Sequence, residues 1–135
     1  MSNKMRRSLA VVLLLAGTLA AGCAHKNTVV GAWSGTTNTP QGATVKTTFT
    51  FTEDGKETMT AQVSGGPMTM SVGGSGTYTV SGTSLTQTFN TVNLNGRSAP
   101  VQAKSETDQF KLDGDTLTLT KQGAAQPLVL TREKS

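Results

Sequence analysis

This sequence of 135 residues has little of the chemistry from which most catalytic and metal-binding sites are built. It contains a single cysteine, Cys23, and a single histidine, His25. A lone cysteine excludes an intramolecular disulfide, and a Ser-His-Asp triad or a histidine-bearing metal site would have to use His25. His25 lies in a short N-terminal spacer rather than in the body of the chain. We therefore expect no enzyme activity, no metal site and no cofactor.

The carboxylates that stand out in the sequence support the same expectation. Glu53, Asp54, Asp113 and Asp115 occur around Asp-Gly pairs, which are typical of hairpin turns. Carboxylates that all lie in water lack the contrasting environments that an acid–base pair requires. We therefore predict that these four residues shape turns and carry no catalytic role.

Positive charge is also scarce once the N-terminal segment is set aside. The chain has twelve Lys and Arg residues against eight Asp and Glu. Removing Lys4, Arg6 and Arg7 leaves nine basic against eight acidic residues, a net charge of +1. The remaining basic residues are scattered singly and form no stripe, so nucleic acid is not an expected partner.

The first 22 residues have the three parts of a secretory signal peptide. Lys4, Arg6 and Arg7 form a positive start, and residues 9–19 form an apolar run. A helix of that run would be about 17 Å long, whereas the hydrocarbon core of a bilayer is about 30 Å thick. The segment is too short for a permanent transmembrane helix, and its length is typical of a signal peptide that is cleaved.

The apolar run ends in Leu19-Ala20-Ala21-Gly22-Cys23. This motif resembles the lipobox of bacterial lipoproteins, although its Leu lies four residues before the Cys and the usual spacing is three. The resemblance implies a signal peptide over residues 1–22, a diacylglycerol on Cys23 and a tether to residue 28. Two or three acyl chains would hold the protein firmly to a membrane. Because Ala24 rather than Asp follows the cysteine, the family's sorting rule implies the outer membrane, facing the periplasm, in a cell that has one.

Residues 29–135 have the composition and spacing of one small all-β domain. Threonine, which is favoured in sheets with one solvent-exposed face, is abundant. Glycines separate short segments of alternating polarity. Residues 44–52 show the alternation best, with Val45, Thr47, Phe49 and Phe51 on one face. We count eight strands in hairpin order. This order favours an up-and-down barrel, because closure removes the exposed sheet edges.

Turn chemistry divides this domain into hairpins. Asp54-Gly55, Gly82-Thr83 and Asp113-Gly114 mark tight turns. Residues 64–75 are glycine-rich and fit either a hairpin extension or a mobile loop, and residues 93–100 are predicted to form a polar loop. The expected core consists of the large apolar side chains at inward positions: Trp33, Phe49, Phe51, Tyr78, Phe89, Phe110, Leu117, Leu119 and Leu130.

The order of several short motifs resembles the bacterial lipocalin-like domain families over about residues 30–133. The motifs are Gly31-Ala32-Trp33, Phe49-Thr50-Phe51 followed by Asp54-Gly55, Gly76-Thr77-Tyr78, Leu112-Asp113-Gly114-Asp115-Thr116-Leu117 and Leu130-Thr131-Arg132. The resemblance implies that Trp33 plugs the closed end of the barrel and that Arg132 stacks on it, a contact worth about 0.5–2 kcal/mol. Thr107-Asp108 is similar to part of a lipocalin signature. However, Gln109 replaces its tyrosine and we count three later strands where the signature leaves two, so we interpret this match as coincidence.

These features predict a binding protein rather than a catalyst. A lipocalin-like barrel would hold a small hydrophobic ligand in its open end. The alternative is a protein-binding envelope lipoprotein, either a hydrolase inhibitor or an assembly factor, that acts through residues 64–75 and 93–100. A wide apolar cavity would favour the first function, and a filled barrel with an exposed apolar loop patch would favour the second. In both cases the lipid anchor makes a membrane the other expected partner.

Overall fold

The strands of this protein form a closed antiparallel barrel in the order of the chain. A computed structural model describes residues 28–67 and 69–134. The strands are β1 (Gly31–Asn38), β2 (Thr44–Phe51), β3 (Lys56–Ser64), β4 (Met70–Ser81), β5 (Ser84–Leu94), β6 (Arg97–Asp113), β7 (Thr116–Lys121) and β8 (Leu128–Arg132). Each strand pairs with the next, and β1 also pairs with β8. The predicted all-β, eight-stranded up-and-down barrel is confirmed.

The predicted signal peptide, Cys23 and His25 lie outside the described residues. The described part begins at Thr28, the last residue of the predicted tether, and β1 starts three residues later. Within this part, no helix is long and apolar enough to cross a membrane.

The core of the barrel follows the two-residue period of its strands. Phe49 and Phe51 are buried on β2, whereas Thr48 and Thr50 between and beside them are only half-buried. A fully buried side chain of this size contributes about 1.5–3 kcal/mol through its apolar surface. The buried hydrophobic core is Val29, Trp33, Phe49, Phe51, Leu85, Leu117, Leu119 and Leu130. Tyr78, Phe89 and Phe110 pack against it while half-buried, so the predicted inward positions are confirmed.

Residues 64–75, for which the sequence left two structures open, form a hairpin extension. β3 continues through Ser64, and β4 already begins at Met70. The alternation of Met70 and Val72 with smaller residues therefore belongs to a strand. Glycines within β4 weaken that signal, because glycine is depleted in most strands.

The polar loop predicted over residues 93–100 is wrong, because the segment is a tight hairpin. β5 extends to Leu94 and β6 starts at Arg97. The two residues between them, Asn95 and Gly96, have positive φ angles of 49° and 84°. Asn-Gly is the pair that accepts this left-handed geometry most readily, and it matches the twist of the flanking strands. The turn signal was present in the sequence, but the polarity of its neighbours concealed the strands.

The backbones of β1 and β8 approach closely where the barrel closes. An added Cβ on Gly35 would lie 2.5 Å from the carbonyl oxygen of Val129 and 2.9 Å from a methyl group of Leu130. Both distances are too short for a real side chain. The seam of the barrel therefore depends on glycine at this position.

Candidate functional site

Trp33 and Arg132, the pair that the lipocalin resemblance assigns to the closed end, lie in contact. Trp33 is 0% exposed, and the guanidinium carbon of Arg132 is 4.1 Å from the centre of its ring. The indole Nε1 of Trp33 donates a hydrogen bond to the carbonyl of Val29 at 2.7 Å. Arg132 Nη1 and Nη2 donate to the carbonyls of Val30 and Thr28 at 2.7 and 3.1 Å. Together the two side chains hold the segment that enters β1.

This arrangement places residues 28–30 next to Trp33 and Arg132. Arg132 lies in register with Trp33 across the β1–β8 pair, so strand pairing itself brings the two side chains together. Arg132 also approaches the Asp115 carboxylate, with 3.5 Å between Nε and Oδ1. The cation is thus shared among an aromatic face, an acid and two carbonyl groups, which keeps it at a single position.

The opposite half of the barrel contains a cavity, which we call the cup. It has a volume of about 330 Å³ and opens near the β7–β8 connection, where Ala124 and Gln126 line it. Its apolar walls are Phe49, Met59, Phe89, Leu119 and Leu128. Besides Gln126, four polar side chains line it: Gln87, Glu106, Asp108 and Lys121. An apolar cavity with a few converging polar groups is the usual form of a small-molecule site.

Glycines on β4 make the space that Phe89 occupies beside the cup. An added Cβ on Gly74 would lie 3.0 Å from the Phe89 ring, and one on Gly76 would lie 1.8 Å from the carbonyl oxygen of Thr88. The surface of β4 that faces Phe89 is therefore formed by backbone atoms and not by side chains. A larger residue at either position would push Phe89 and its strand away from β4.

Glu106 and Lys121 form a neutral pair at the mouth of the cup. Lys121 Nζ lies 2.6 Å from Glu106 Oε2, and Lys104 Nζ lies 3.7 Å from Oε1. The hydrogen bond from Lys121 lowers the pKa of Glu106, and the same bond raises the pKa of Lys121. The side chains of Lys104 and Lys121 are mainly in water, so this pair contributes little stability.

Asp108 differs from Glu106 because it is buried at the wall of the cup without a neutralising bond. The residue is 8% exposed, and its Oδ1 has no hydrogen-bond partner among the described residues. It lies in register with Lys121 on β7, yet the Lys121 ammonium bonds to Glu106 instead. Burial raises the pKa of Asp108, and the charge of Lys121 acts in the opposite direction. The cup therefore contains one carboxyl group whose hydrogen-bonding capacity is unused.

A second buried carboxyl group, Glu57, lies against the inner side of Gln87. Glu57 is 1% exposed, and Gln87 Nε2 donates a hydrogen bond to its Oε2 at 2.7 Å. Its Oε1 has no partner within the described part of the chain. Burial raises the pKa of Glu57 to about 7, against the opposing effect of the Gln87 bond. The amide oxygen of Gln87 accepts no hydrogen bond from the described residues, so it remains available as an acceptor.

These interior acids are the residues that sequence reasoning missed. The four acids assigned to turns, Glu53, Asp54, Asp113 and Asp115, are exposed in turns or at a strand end as predicted. Glu57, however, has the same parity on β3 as Met59 and Ala61, and Asp108 has the same parity on β6 as Phe110. That shared parity was the available signal. The count of strands after Thr107-Asp108 is also corrected, because only β7 and β8 follow it.

The other polar features of the described region form no comparable site. Within residues 28–67 and 69–134, no three potential metal ligands of the His, Cys, Asp or Glu type converge. A recess of about 490 Å³ lies near the closed end, beside Val29 and Tyr78. None of the residues that line it carries a buried polar atom without a partner. The cup is therefore the candidate functional site.

Comparison with known proteins adds no relative to this description. No family model matches the chain, and a search of curated proteins finds no similar sequence.

Proposed function

We propose that this protein is a membrane-anchored, lipocalin-like binding module of the cell envelope that holds a small hydrophobic ligand in the cup. The observation that carries the proposal is an apolar cavity inside a closed barrel, reached from one end. Its volume of about 330 Å³ is at the small end of the range for ligand sites, about 300–1,000 Å³. The ligand is therefore a single short molecule rather than a long lipid.

The position of the N-terminal segment supports an outward-facing cup. Thr28 is held at the closed end by Arg132, and it lies only five positions after Cys23. Five extended residues span at most about 18 Å. A lipid on Cys23 would therefore keep the closed end next to the membrane and leave the mouth of the cup directed away from it. In a cell with an outer membrane, the cup would face the periplasm.

A role in binding rather than in catalysis is part of the same proposal. The only cysteine and the only histidine precede the barrel in the sequence. Of the two acids that line the cup, Glu106 is neutralised by lysines, which leaves Asp108 as a single carboxyl group. This arrangement suits recognition of a ligand head group.

Titration calorimetry with a short neutral alcohol tests whether the cup binds apolar molecules. The whole barrel and its core lie within residues 29–132, so the protein can be produced from residue 24 onward without the anchor. We expect 1-octanol to bind with one-to-one stoichiometry. Leu128→Trp should fill the mouth of the cup and weaken binding by at least about tenfold, a loss of about 1.4 kcal/mol.

The matched control places the same new side chain on the next residue. Val129 is 53% exposed on the outer face, so Val129→Trp should bind octanol like the unmodified protein. Equal effects of the two substitutions, or no octanol binding by the unmodified protein, would contradict a ligand-binding cup. Circular dichroism of each variant verifies that the barrel is retained.

Exposed apolar side chains on the β3–β4 and β5–β6 hairpins favour a protein partner as the second candidate function. Met70 is 38% exposed, Leu94 is 50% exposed and Val101 is 40% exposed. The hairpins are joined by the backbone amide of Asn95, which donates to the carbonyl of Ser71 at 2.8 Å. A photo-crosslinking residue at position 94 would detect such a partner in intact cells. Crosslinks at position 94 that are absent at the exposed control position 129 would support this second function.

A further inference from the structure

The uncompensated carboxyl group of Asp108 indicates which kind of ligand the cup would take. Asp108 is 8% exposed, lines the cup and leaves its Oδ1 without a partner among the described residues. A buried carboxylate without a hydrogen-bond donor is costly, because its lost hydration is not replaced. Lys121, which lies in register with Asp108 on β7, bonds to Glu106 instead. A ligand that supplied both a positive charge and an N–H donor would remove this cost.

The surroundings of Asp108 define the rest of such a ligand. Phe89 and Leu119 line the same cup, and so does Gln87, whose amide oxygen accepts no hydrogen bond from the described residues. The cup therefore combines an anionic acceptor, a neutral acceptor and a hydrocarbon surface. A molecule with a protonated amine at one end and a short apolar body at the other matches all three.

We propose that the ligand of the cup is a short amphiphilic amine, whose ammonium group pairs with Asp108 and whose hydrocarbon part packs against Phe89 and Leu119. This inference rests on the proposed function, since it requires that the cup binds an apolar molecule at all. It goes further by assigning the head group and the residue that selects it.

The lysines near the cup do not offer an equivalent site for an acidic head group. The Lys104 side chain is 82% exposed and the Lys121 side chain is 59% exposed. Both ammonium groups already contact Glu106, at 3.7 and 2.6 Å. A carboxylate on the ligand would have to compete with Glu106 and would remain at the mouth in contact with water. It would also lie close to the unpaired charge of Asp108.

Titration calorimetry with three ligands of equal chain length tests this assignment. The ligands are octylamine, 1-octanol and octanoate, with the barrel produced from residue 24 onward at neutral pH. We expect octylamine to bind at least about tenfold more tightly than octanol, since a hydrogen bond to a charged group contributes about 1.5–3 kcal/mol. Asp108→Asn should abolish this preference and leave octanol binding intact.

A turn acid provides the matched control. Asp113 is exposed at the end of β6, so Asp113→Asn should keep the preference for the amine. Octylamine binding no more tightly than octanol in the unmodified protein, or a preference that persists in Asp108→Asn, would overturn the assignment. Tightest binding of octanoate would overturn it in favour of the lysines. Absence of binding by all three ligands would instead overturn the proposed function. The comparison among ligands in the unmodified protein decides the question even if Asp108→Asn is unstable.

Discussion

Arg132, the last residue of β8, lies with its guanidinium carbon 4.1 Å from the centre of the Trp33 ring on β1. The two strands that contribute these residues are the ones that close the barrel. Arg132 also bonds the carbonyls of Thr28 and Val30, so one side chain joins the end of the chain to the segment before β1. Arg132 therefore contacts both the Trp33 ring and residues 28–30 at the place where β1 and β8 close the barrel.

Truncation of Trp33 should be strongly destabilising. The side chain is completely buried and its Nε1 bonds the carbonyl of Val29. We expect Trp33→Ala to lower the free energy of unfolding by about 3–5 kcal/mol, the usual range for a buried aromatic residue. Urea denaturation measures the loss, with the exposed Val129→Ala as control. A loss below about 1 kcal/mol would show that Trp33 does not plug the barrel.

Addition of one methyl group at the β1–β8 seam should also destabilise the barrel. A Cβ on Gly35 would lie 2.5 Å from the Val129 carbonyl oxygen, so the two strands would have to separate. We expect Gly35→Ala to cost about 1–3 kcal/mol in thermal or urea denaturation. Gly66→Ala is the matched control because nothing lies within 4 Å of its added Cβ. If both variants are equally stable, the seam tolerates a side chain and the close approach is not structural.

The stability of the protein should decrease as the pH rises through the range in which Glu57 titrates. Burial raises the pKa of Glu57 from 4.5 to about 7 in the folded protein. Between these values the folded state keeps a proton that the unfolded state has lost, so the free energy of unfolding falls with rising pH. The contribution of Glu57 is complete below about pH 4.5 and is lost once the pH exceeds about 7. One such group changes stability by at most about 1.4 kcal/mol per pH unit.

Urea titrations at several pH values isolate this contribution. We expect Glu57→Gln to reduce the decrease in stability between about pH 5 and pH 8. Glu53→Gln, in the exposed turn before β3, should retain the full decrease. Identical pH profiles for Glu57→Gln and the unmodified protein would contradict a neutral, buried Glu57. Asp108 has a raised pKa as well, so comparison of the variants rather than the absolute slope is the decisive measurement.

Replacement of Cys23 should abolish membrane anchoring. A serine hydroxyl cannot form the thioether-linked diacylglycerol that the lipobox resemblance implies, so Cys23→Ser should accumulate as an unacylated precursor. Growth of cells with a radioactive fatty acid and gel analysis of the protein measures acylation. His25→Ser, two residues along the same spacer, should incorporate label normally. Equal labelling of Cys23→Ser and the unmodified protein would refute the lipoprotein prediction.

The order and number of strands could be predicted from the sequence because the signals are local. Alternation along β2 and the Asp-Gly and Gly-Thr pairs at the turns each involve a few neighbouring residues. The Asn95-Gly96 hairpin could also have been predicted from its turn pair. Polar residues on both sides of this pair make the flanking strands resemble a loop. Polarity is a weak guide where hairpins extend beyond the core and both of their faces meet water.

Local sequence patterns are sufficient to predict the barrel, most of its turns and the apolar residues of its core. The pairing of the strands is needed to show that Glu57 and Asp108 are buried and that Asp108 has no bond to the lysine opposite it. Strand parity places a side chain on one face, but bulges such as the one at Asn90 reverse that parity partway along a strand. An inward-facing acid is neutralised only if a lysine on a neighbouring strand bonds to it and not to another acid. In this barrel Lys121 bonds Glu106, and for that reason the cup keeps an unpaired carboxyl group.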